Sequence, residues 1–142
     1  MEHIKYPFLM LVGGSIYYNM EIIHRGYSHW TMAVVGGICF MLMGLVSEYN
    51  RRKLSFLGLM GISAMIITIV EFIAGVILNL WLQLNIWDYS ELPFNLLGQI
   101  CLPFTVLWFL LSFPAIFLNK YLRSWFSVNE DGKHKARDIV QP

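Results

Sequence analysis

The chain has 142 residues, of which 57% are hydrophobic, 15% aromatic and 13% charged, and its formal net charge is +1. A soluble domain carries roughly 25% charged residues, so the composition indicates a small membrane protein. The lysines and arginines lie beside apolar segments and form no basic stripe, which excludes a nucleic-acid-binding protein. The sequence contains no Walker loop, so the chain does not hydrolyse a nucleotide by itself.

A membrane-spanning helix needs about 20 mostly apolar residues. Four segments reach this length in chain order: 6–23, 30–49, 54–84 and 96–122. The last contains Pro103 and Pro114, which spans tolerate where neighbouring groups satisfy the freed carbonyls. The predicted fold class is therefore all-α, a polytopic membrane protein with a four-transmembrane-helix bundle over residues 1–124. Residues 125–142 are polar and are predicted to form a disordered cytoplasmic tail.

The positive charges are distributed unevenly between the two predicted membrane faces. Four spans place both termini on one side, together with all but one of the ten lysines and arginines. The exception is Arg25, in the loop between the first two spans. Because positive charge marks the cytoplasmic face, both termini are predicted to be cytoplasmic. The predicted location is a membrane, multi-pass, and the cytoplasmic membrane if the chain is bacterial.

Glu71 is the only charged residue between Leu54 and Trp87. A charge at membrane depth costs several kcal/mol and usually faces a partner, a cavity or an ion. At the helical rise per residue it lies roughly 25 Å beyond Leu54, in the outer half of the bilayer. Three interpretations stay open: a structural ion pair with Arg25, a residue that lines a path or binds a cation or proton, and a catalytic carboxylate.

Polar residues gather at the same outward end of the predicted bundle. The candidate binding residues are Glu71, Glu21, Arg25, His24, His29, Asn79, Asp88, Tyr89 and Asn95. Glu21 and His24 have the Glu-x-x-His spacing that places both side chains on one metal in di-metal bundles. Those sites need a second copy, which this chain lacks, so the sequence decides neither a metal nor a cofactor. It assigns no catalytic residue.

A stripe of small and polar residues follows one face of the third span, at three- and four-residue steps. Its members are Gly61, Ala64, Thr68, Glu71, Gly75 and Asn79. Such stripes let helices approach closely in lipid, so Glu71 is predicted to face protein. The aromatic loop at 87–95 has two interpretations: an interfacial belt with helix caps, or a partly re-entrant loop that covers a cavity over Glu71.

Four segments resemble the CmpB family of ABC-transporter type IV proteins: Glu-Phe-Ile-Ala-Gly at 71–75, Trp-Asp-Tyr-Ser at 87–90, Pro-Phe-Asn at 93–95 and Gly-Gln-Ile-Cys-Leu-Pro at 98–103. The segment 25–30 looks like the arginine–glycine turn of a subgroup related to the eukaryotic transmembrane protein 229 group. The resemblance covers about residues 11–118. It implies a small polytopic membrane protein, for which an ATPase partner would have to be a separate subunit.

The leading hypothesis is a protein that binds or translocates a small solute or ion through an outward-facing polar pocket around Glu71. One alternative is a membrane-embedded enzyme that acts on lipid or another outer-leaflet substrate, with Glu71 and His24 or His29 as a titratable pair. The other alternative is a non-catalytic sensor or partner subunit. The residues favour a binding protein over an enzyme. The expected partners are membrane lipid, the solute or ion, and a second copy of the chain that packs through its glycine faces.

Overall fold

The computed structural model of the chain describes residues 2–49 and 54–140. These residues form four α-helices, which are α1 (Glu2–Arg25), α2 (Trp30–Tyr49), α3 (Phe56–Gly75) and α4 (Leu102–Val140). A π-helical segment, Val76–Trp81, continues α3. Over the described ranges there is no β-strand, and a single antiparallel bridge joins Leu96 to Ile100. The all-α prediction is confirmed.

Within the described residues, three helical segments are long and apolar enough to cross a membrane, namely Trp30–Tyr49, Phe56–Trp81 and Leu102–Phe126. The first helix is not among them, because Asn19, Glu21 and several tyrosines and glycines dilute its apolar residues. The chain is therefore a polytopic membrane protein. A fourth span and the cytoplasmic position of both termini stay predictions.

The helices pack as two hairpins. In the first, α1 lies along α2, because Gly14 faces the backbone of Ala33 and Gly37 faces the backbone of Met10. In the second, α3 packs against α4. The hairpins meet chiefly where α2 contacts α3 and α4, whereas no Cα atom of α1 lies within 8 Å of a Cα atom of α3 within the described ranges. This arrangement leaves space between the hairpins.

The glycine faces of the first two helices are occupied within the chain. Gly13 lies against Phe40, Gly36 lies against Tyr17, and Gly44 lies against Asn119. These glycines therefore offer no free face for a second copy of the chain, contrary to expectation. The homodimer itself stays a prediction, and it would need another surface.

Gly14 provides a direct test of the packing between α1 and α2. A leucine there would collide with the backbone at Ala33, so Gly14→Leu should lower the free energy of unfolding by about 1–3 kcal/mol. The measurement is the thermal midpoint in detergent. Gly61→Leu is the matched control, since a Cβ atom at Gly61 would meet nothing within 4 Å. Equal midpoints for the two variants would contradict the packing described here.

The predicted stripe on the third span is largely a packing face. Ala64 and Glu71 are buried, Gly75 lies against Gln99, and the hydroxyl of Thr68 is 3.1 Å from that of Thr105 on α4. Gly61 is the exception, because it faces open space. The side of α3 that carries Glu71 therefore contacts protein, as the pattern predicts.

At the end of the bundle away from the 82–101 loop, a polar network joins α1, α2 and α4. Lys5 Nζ lies 2.9 Å from Glu48 Oε1, and Asn119 Nδ2 donates to the carbonyl of Phe40 at 2.9 Å. Arg123 Nε donates to Asn119 Oδ1 at 2.8 Å. Lys5 and Asn119 are buried, so this end of the bundle is closed by satisfied polar contacts.

The chain between α3 and α4 is an irregular loop, residues 82–101, although the fourth span was predicted to begin near residue 96. Leu97 and Gly98 both have positive φ angles, 53° and 71°, which a helix cannot accommodate. Helix α4 therefore begins at Leu102. Pro103 then lies in its first turn, where a missing N–H costs no hydrogen bond.

Helix α4 continues beyond its apolar part to Val140. The segment predicted as a disordered tail, residues 125–142, is thus helical as far as that residue, and its last two residues lie outside the described part. The proposed boundary between the bundle and the tail, at residue 124, falls within one continuous helix and stays a prediction.

Candidate functional site

Glu71 is buried on α3, with 5% of its surface exposed. The hydroxyl of Tyr89 donates to Oε1 at 2.9 Å, and the indole N–H of Trp108 donates to Oε2 at 3.1 Å. Among the residues that the structure describes, no cation lies within ion-pair distance of this carboxylate. The interpretation of Glu71 as a structural ion pair with Arg25 is therefore wrong.

Arg25 instead pairs with Glu21, one turn back on α1. Its other terminal nitrogen donates to the carbonyl of Ile86 at 3.2 Å, which ties the end of α1 to the loop. Its Nε atom is buried and has no partner within the described ranges. Glu21 lies close enough to Glu71 for the two carboxylates to repel each other. Arg25 and Glu21 thus border the site without neutralising Glu71.

The loop is fastened over the end of α3 by Asn79. Its Oδ1 accepts from the N–H of Ile86 at 2.7 Å, and its Nδ2 donates to Gln99 Oε1 at 2.8 Å. The indole N–H of Trp87 donates to the carbonyl of Gln99 at 2.9 Å. Asn79, Trp87 and Gln99 are all buried. The loop therefore packs on protein as a re-entrant segment requires, while its depth in lipid stays a prediction.

Tyr89 connects this loop to Glu71. Its ring stacks on Phe104 of α4, with the ring centroids 4.5 Å apart. Burial, followed by the nearby charge of Glu71, raises the pKa of Tyr89 above its ordinary range. The phenol therefore keeps the proton that it donates to Glu71. The sequence identified Tyr89 as a candidate, and the structure places it in contact with the buried carboxylate.

Four predicted site residues lie elsewhere. Asp88 is exposed, and hydrogen bonds from the side chain and backbone N–H of Ser90 lower the pKa of its carboxyl group. Asn95 bonds to loop backbone groups and caps no helix. His24 is exposed, and His29 Nδ1 is 2.7 Å from the Thr31 hydroxyl. No hydrogen bond of the described structure joins any of the four to Glu71.

A metal centre finds no support in the site geometry. Glu21 is engaged with Arg25, so the Glu21–His24 pair is not arranged around an ion. Over the described part of the chain, no group of three or more histidine, cysteine, aspartate or glutamate side chains could hold a metal. Cys39 and Cys101 are both free and buried.

A cavity of about 330 Å³ lies between the two hairpins, and Glu71 is part of its wall. The other wall residues with a polar atom or thiol in the side chain are Tyr17, Cys39, Trp108 and Ser112, and the remaining lining is apolar or glycine. Asp88, Asn95, His24 and His29 do not line it. The expected polar pocket is thus an apolar cavity with one carboxylate in its wall.

The sequence analysis missed Trp108 and Tyr17. Both line the cavity, and their ring centroids are 5.9 Å apart. A signal for Trp108 was available, because it lies near the middle of the predicted span, whereas tryptophan prefers the membrane interface. A buried indole N–H also needs an acceptor, and Glu71 is the acceptor that it finds.

The comparisons with known proteins give one finding on the family. A family model, ABC_trans_CmpB, described as Putative ABC-transporter type IV, matches residues 8–136, which is most of the chain. No curated protein and no solved structure matches the chain. The matched residues include all the cavity-lining residues and the loop. Together with the apolar helices, the match identifies a small multi-pass membrane protein of transporter type.

Proposed function

The chain belongs to the ABC_trans_CmpB family, and from that premise we propose that it binds a small solute in the cavity between its two hairpins, as the membrane subunit of a transporter. Glu71 is the charged contact of that solute. One observation carries the proposal: a buried carboxylate with no cation partner among the described residues opens into a cavity of about 330 Å³.

The size and lining of the cavity support this function. Small-molecule sites have volumes of about 300–1,000 Å³ and are mostly apolar, with a few polar groups that fix orientation. Ionisable side chains inside membrane proteins usually mark substrate or ion pathways. Glu71 is such a group, and Trp108 and Tyr89 hold it in one orientation. The cavity therefore has the features of a binding site and not of a packing defect.

We place the cavity toward the outward side of the membrane. Its wall includes Met20 and Met32, near the end of α1 and the start of α2, on the side where the loop covers the bundle. In the predicted topology all but one of the ten lysines and arginines belong to the opposite side, which the positive-inside rule assigns to the cytoplasm. The buried polar network around Lys5 and Asn119 closes that cytoplasmic side.

Energy for translocation would come from a separate ATPase subunit. The family name associates the chain with ABC transporters, and the sequence contains no nucleotide-binding loop of its own. In this arrangement the chain supplies the solute site and its partner supplies ATP hydrolysis.

The two rival functions are less well supported. An enzyme needs a titratable pair within reach of one substrate, but His24 and His29 lie outside the cavity that holds Glu71. A purely structural subunit would pair the buried carboxylate with a cation, and within the described ranges Glu71 contacts only neutral donors. The geometry therefore favours solute binding.

Filling the cavity tests the proposal. Val35 lines it, while its neighbour Val34 is 44% exposed on the outer face of the same helix. Purified protein in lipid nanodiscs would be incubated with a metabolite extract and washed, and the retained small molecules identified by mass spectrometry. We expect the original chain and Val34→Trp to retain a common compound, and Val35→Trp to retain at least fivefold less of it.

Each outcome of this capture experiment is informative. If Val35→Trp lowers the thermal midpoint strongly, Ala115→Leu fills the same cavity with a smaller addition. Identical sets of retained compounds in all variants, or no compound retained by the original chain, would contradict a solute site between the hairpins.

A further inference from the structure

We infer that the ligand of this cavity is a small organic cation with an apolar body, whose charged group sits against Glu71 and beside the rings of Tyr17 and Trp108. The inference rests on the proposed function and narrows it to one class of solute. Three features of the described structure carry it: a buried carboxyl group with no cation partner, a pair of aromatic rings beside it, and apolar walls.

The first feature is the buried carboxyl group of Glu71, which no cation of the described residues contacts. Each carboxylate oxygen accepts one hydrogen bond, from Tyr89 and from Trp108. An indole N–H can only donate, so neither oxygen needs a proton of its own to complete these contacts. A buried carboxylate without a counter-charge is costly, and a cationic ligand would supply that charge.

The bundle's own cations are engaged elsewhere. Lys5 pairs with Glu48 at the far end of the bundle, and Arg25 pairs with Glu21 at the rim of the site. Glu21 also lies near enough to Glu71 to add a repulsive interaction. The local field at the cavity wall therefore favours a positive ligand and disfavours an anion.

The second feature, the pair of aromatic rings beside Glu71, decides between an organic and an inorganic cation. Tyr17 and Trp108 line the cavity, and the face of such a ring attracts a cation within about 6 Å of its centroid. A metal ion such as Ca²⁺ or Mg²⁺ would instead need six or more oxygen ligands. The described part of the chain offers no cluster of metal-ligating side chains. An alkylated ammonium group fits where a hydrated metal ion does not.

The third feature is the remainder of the wall. Apart from Tyr17, Cys39, Glu71, Trp108 and Ser112 it is apolar or glycine, and the Ser112 hydroxyl is already used by the carbonyl of Trp108 at 2.7 Å. A solute with many hydroxyl or amide groups would find no partners there. Three methionines, Met20, Met32 and Met43, line the cavity and can adapt to an apolar body of irregular shape.

Binding of phenyltrimethylammonium tests this assignment. The radiolabelled probe would be equilibrated by dialysis against the full chain in nanodiscs, with empty nanodiscs as background. We expect saturable binding that Glu71→Gln weakens at least tenfold and that Glu91→Gln, at an exposed carboxylate of the loop, leaves unchanged. Benzoate should not compete, and tetramethylammonium, which lacks the apolar body, should compete at least tenfold more weakly than unlabelled probe.

A second pair of variants tests the aromatic contact. Tyr17→Leu removes a cavity ring, whereas Tyr18→Leu changes the next residue, which does not line the cavity. We expect Tyr17→Leu to weaken probe binding at least fivefold and Tyr18→Leu to have no effect. This pair keeps the proposal testable if Glu71→Gln fails to fold.

Failure of this inference can be distinguished from failure of the proposed function. Absence of saturable probe binding, equal binding by Glu71→Gln, or competition by benzoate would each overturn the organic-cation class. If Val35→Trp still abolishes capture from the metabolite extract, the solute site itself stands. If that capture is also absent, both proposals are wrong.

Discussion

Glu71→Gln should preserve the fold and strongly weaken solute binding. The glutamine oxygen can accept the hydrogen bond from Trp108, and its amide can donate to the oxygen of the Tyr89 hydroxyl, so each neighbour keeps one hydrogen bond while the Tyr89 O–H loses its acceptor. The variant therefore removes the ionisable group at a smaller cost in hydrogen bonds than an apolar residue would. We expect at least tenfold weaker retention of the captured solute, with a thermal midpoint close to that of the original chain.

The apolar variant at the same position, Glu71→Leu, should be clearly less stable than the original chain. Glu71→Leu leaves the Trp108 N–H and the Tyr89 hydroxyl without an acceptor, and each orphaned buried donor costs about 1–3 kcal/mol. We therefore expect a loss of roughly 2–5 kcal/mol in unfolding free energy, measured by thermal or denaturant unfolding in detergent. Equal stability of the leucine and glutamine variants would contradict the hydrogen bonds described for Glu71.

Asn79→Leu should release the loop from the end of α3. The Asn79 side chain is buried and satisfies both the N–H of Ile86 and the amide of Gln99. Leucine satisfies neither, and the unpaired groups would regain partners only by moving toward water, at about 1–3 kcal/mol each. Hydrogen exchange of the amides in residues 82–101, read by mass spectrometry, should rise at least tenfold.

The matched control is Asn19→Leu. Asn19 is exposed on α1, and its amide bonds only to the carbonyl of Ser15 in its own helix. Exchange in the loop should stay unchanged in this variant. Slow exchange in Asn79→Leu, equal to that of the control, would show that the loop is held by other contacts.

The sequence predicted the architecture to the extent that local patterns determine it. Apolar length and spacing predicted the helices, and the stripe through Ala64 and Gly75 correctly predicted which side of α3 faces protein. The predicted start of α4 was wrong by several residues, because the positive φ angles at Phe94 and Leu97 cannot be recognised from the amino-acid composition. Leucine and phenylalanine rarely adopt that conformation, and only tertiary contacts can impose it.

The site was predicted in part. Glu71 can be found because a charge in an apolar span is conspicuous. Of the three interpretations that the sequence leaves open for it, the structure contradicts the ion pair with Arg25. The structure uses neutral donors from the loop and α4, which no spacing rule connects to α3. The cavity could not be predicted at all, because its volume is the space left where α1 and α3 do not meet.

Cys39 allows the most direct test of the central claim, that Glu71 gives this cavity a preference for cations. Its thiol lines the same cavity, and Cys101→Ser removes the other free thiol. In nanodiscs, we compare the rates at which a trimethylammonium-bearing methanethiosulfonate and its sulfonate counterpart modify Cys39. Their ratio should exceed the ratio for a free thiol in solution at least tenfold, and Glu71→Gln should remove that excess. A rate ratio equal to that of the free thiol, or an excess that survives Glu71→Gln, would contradict it.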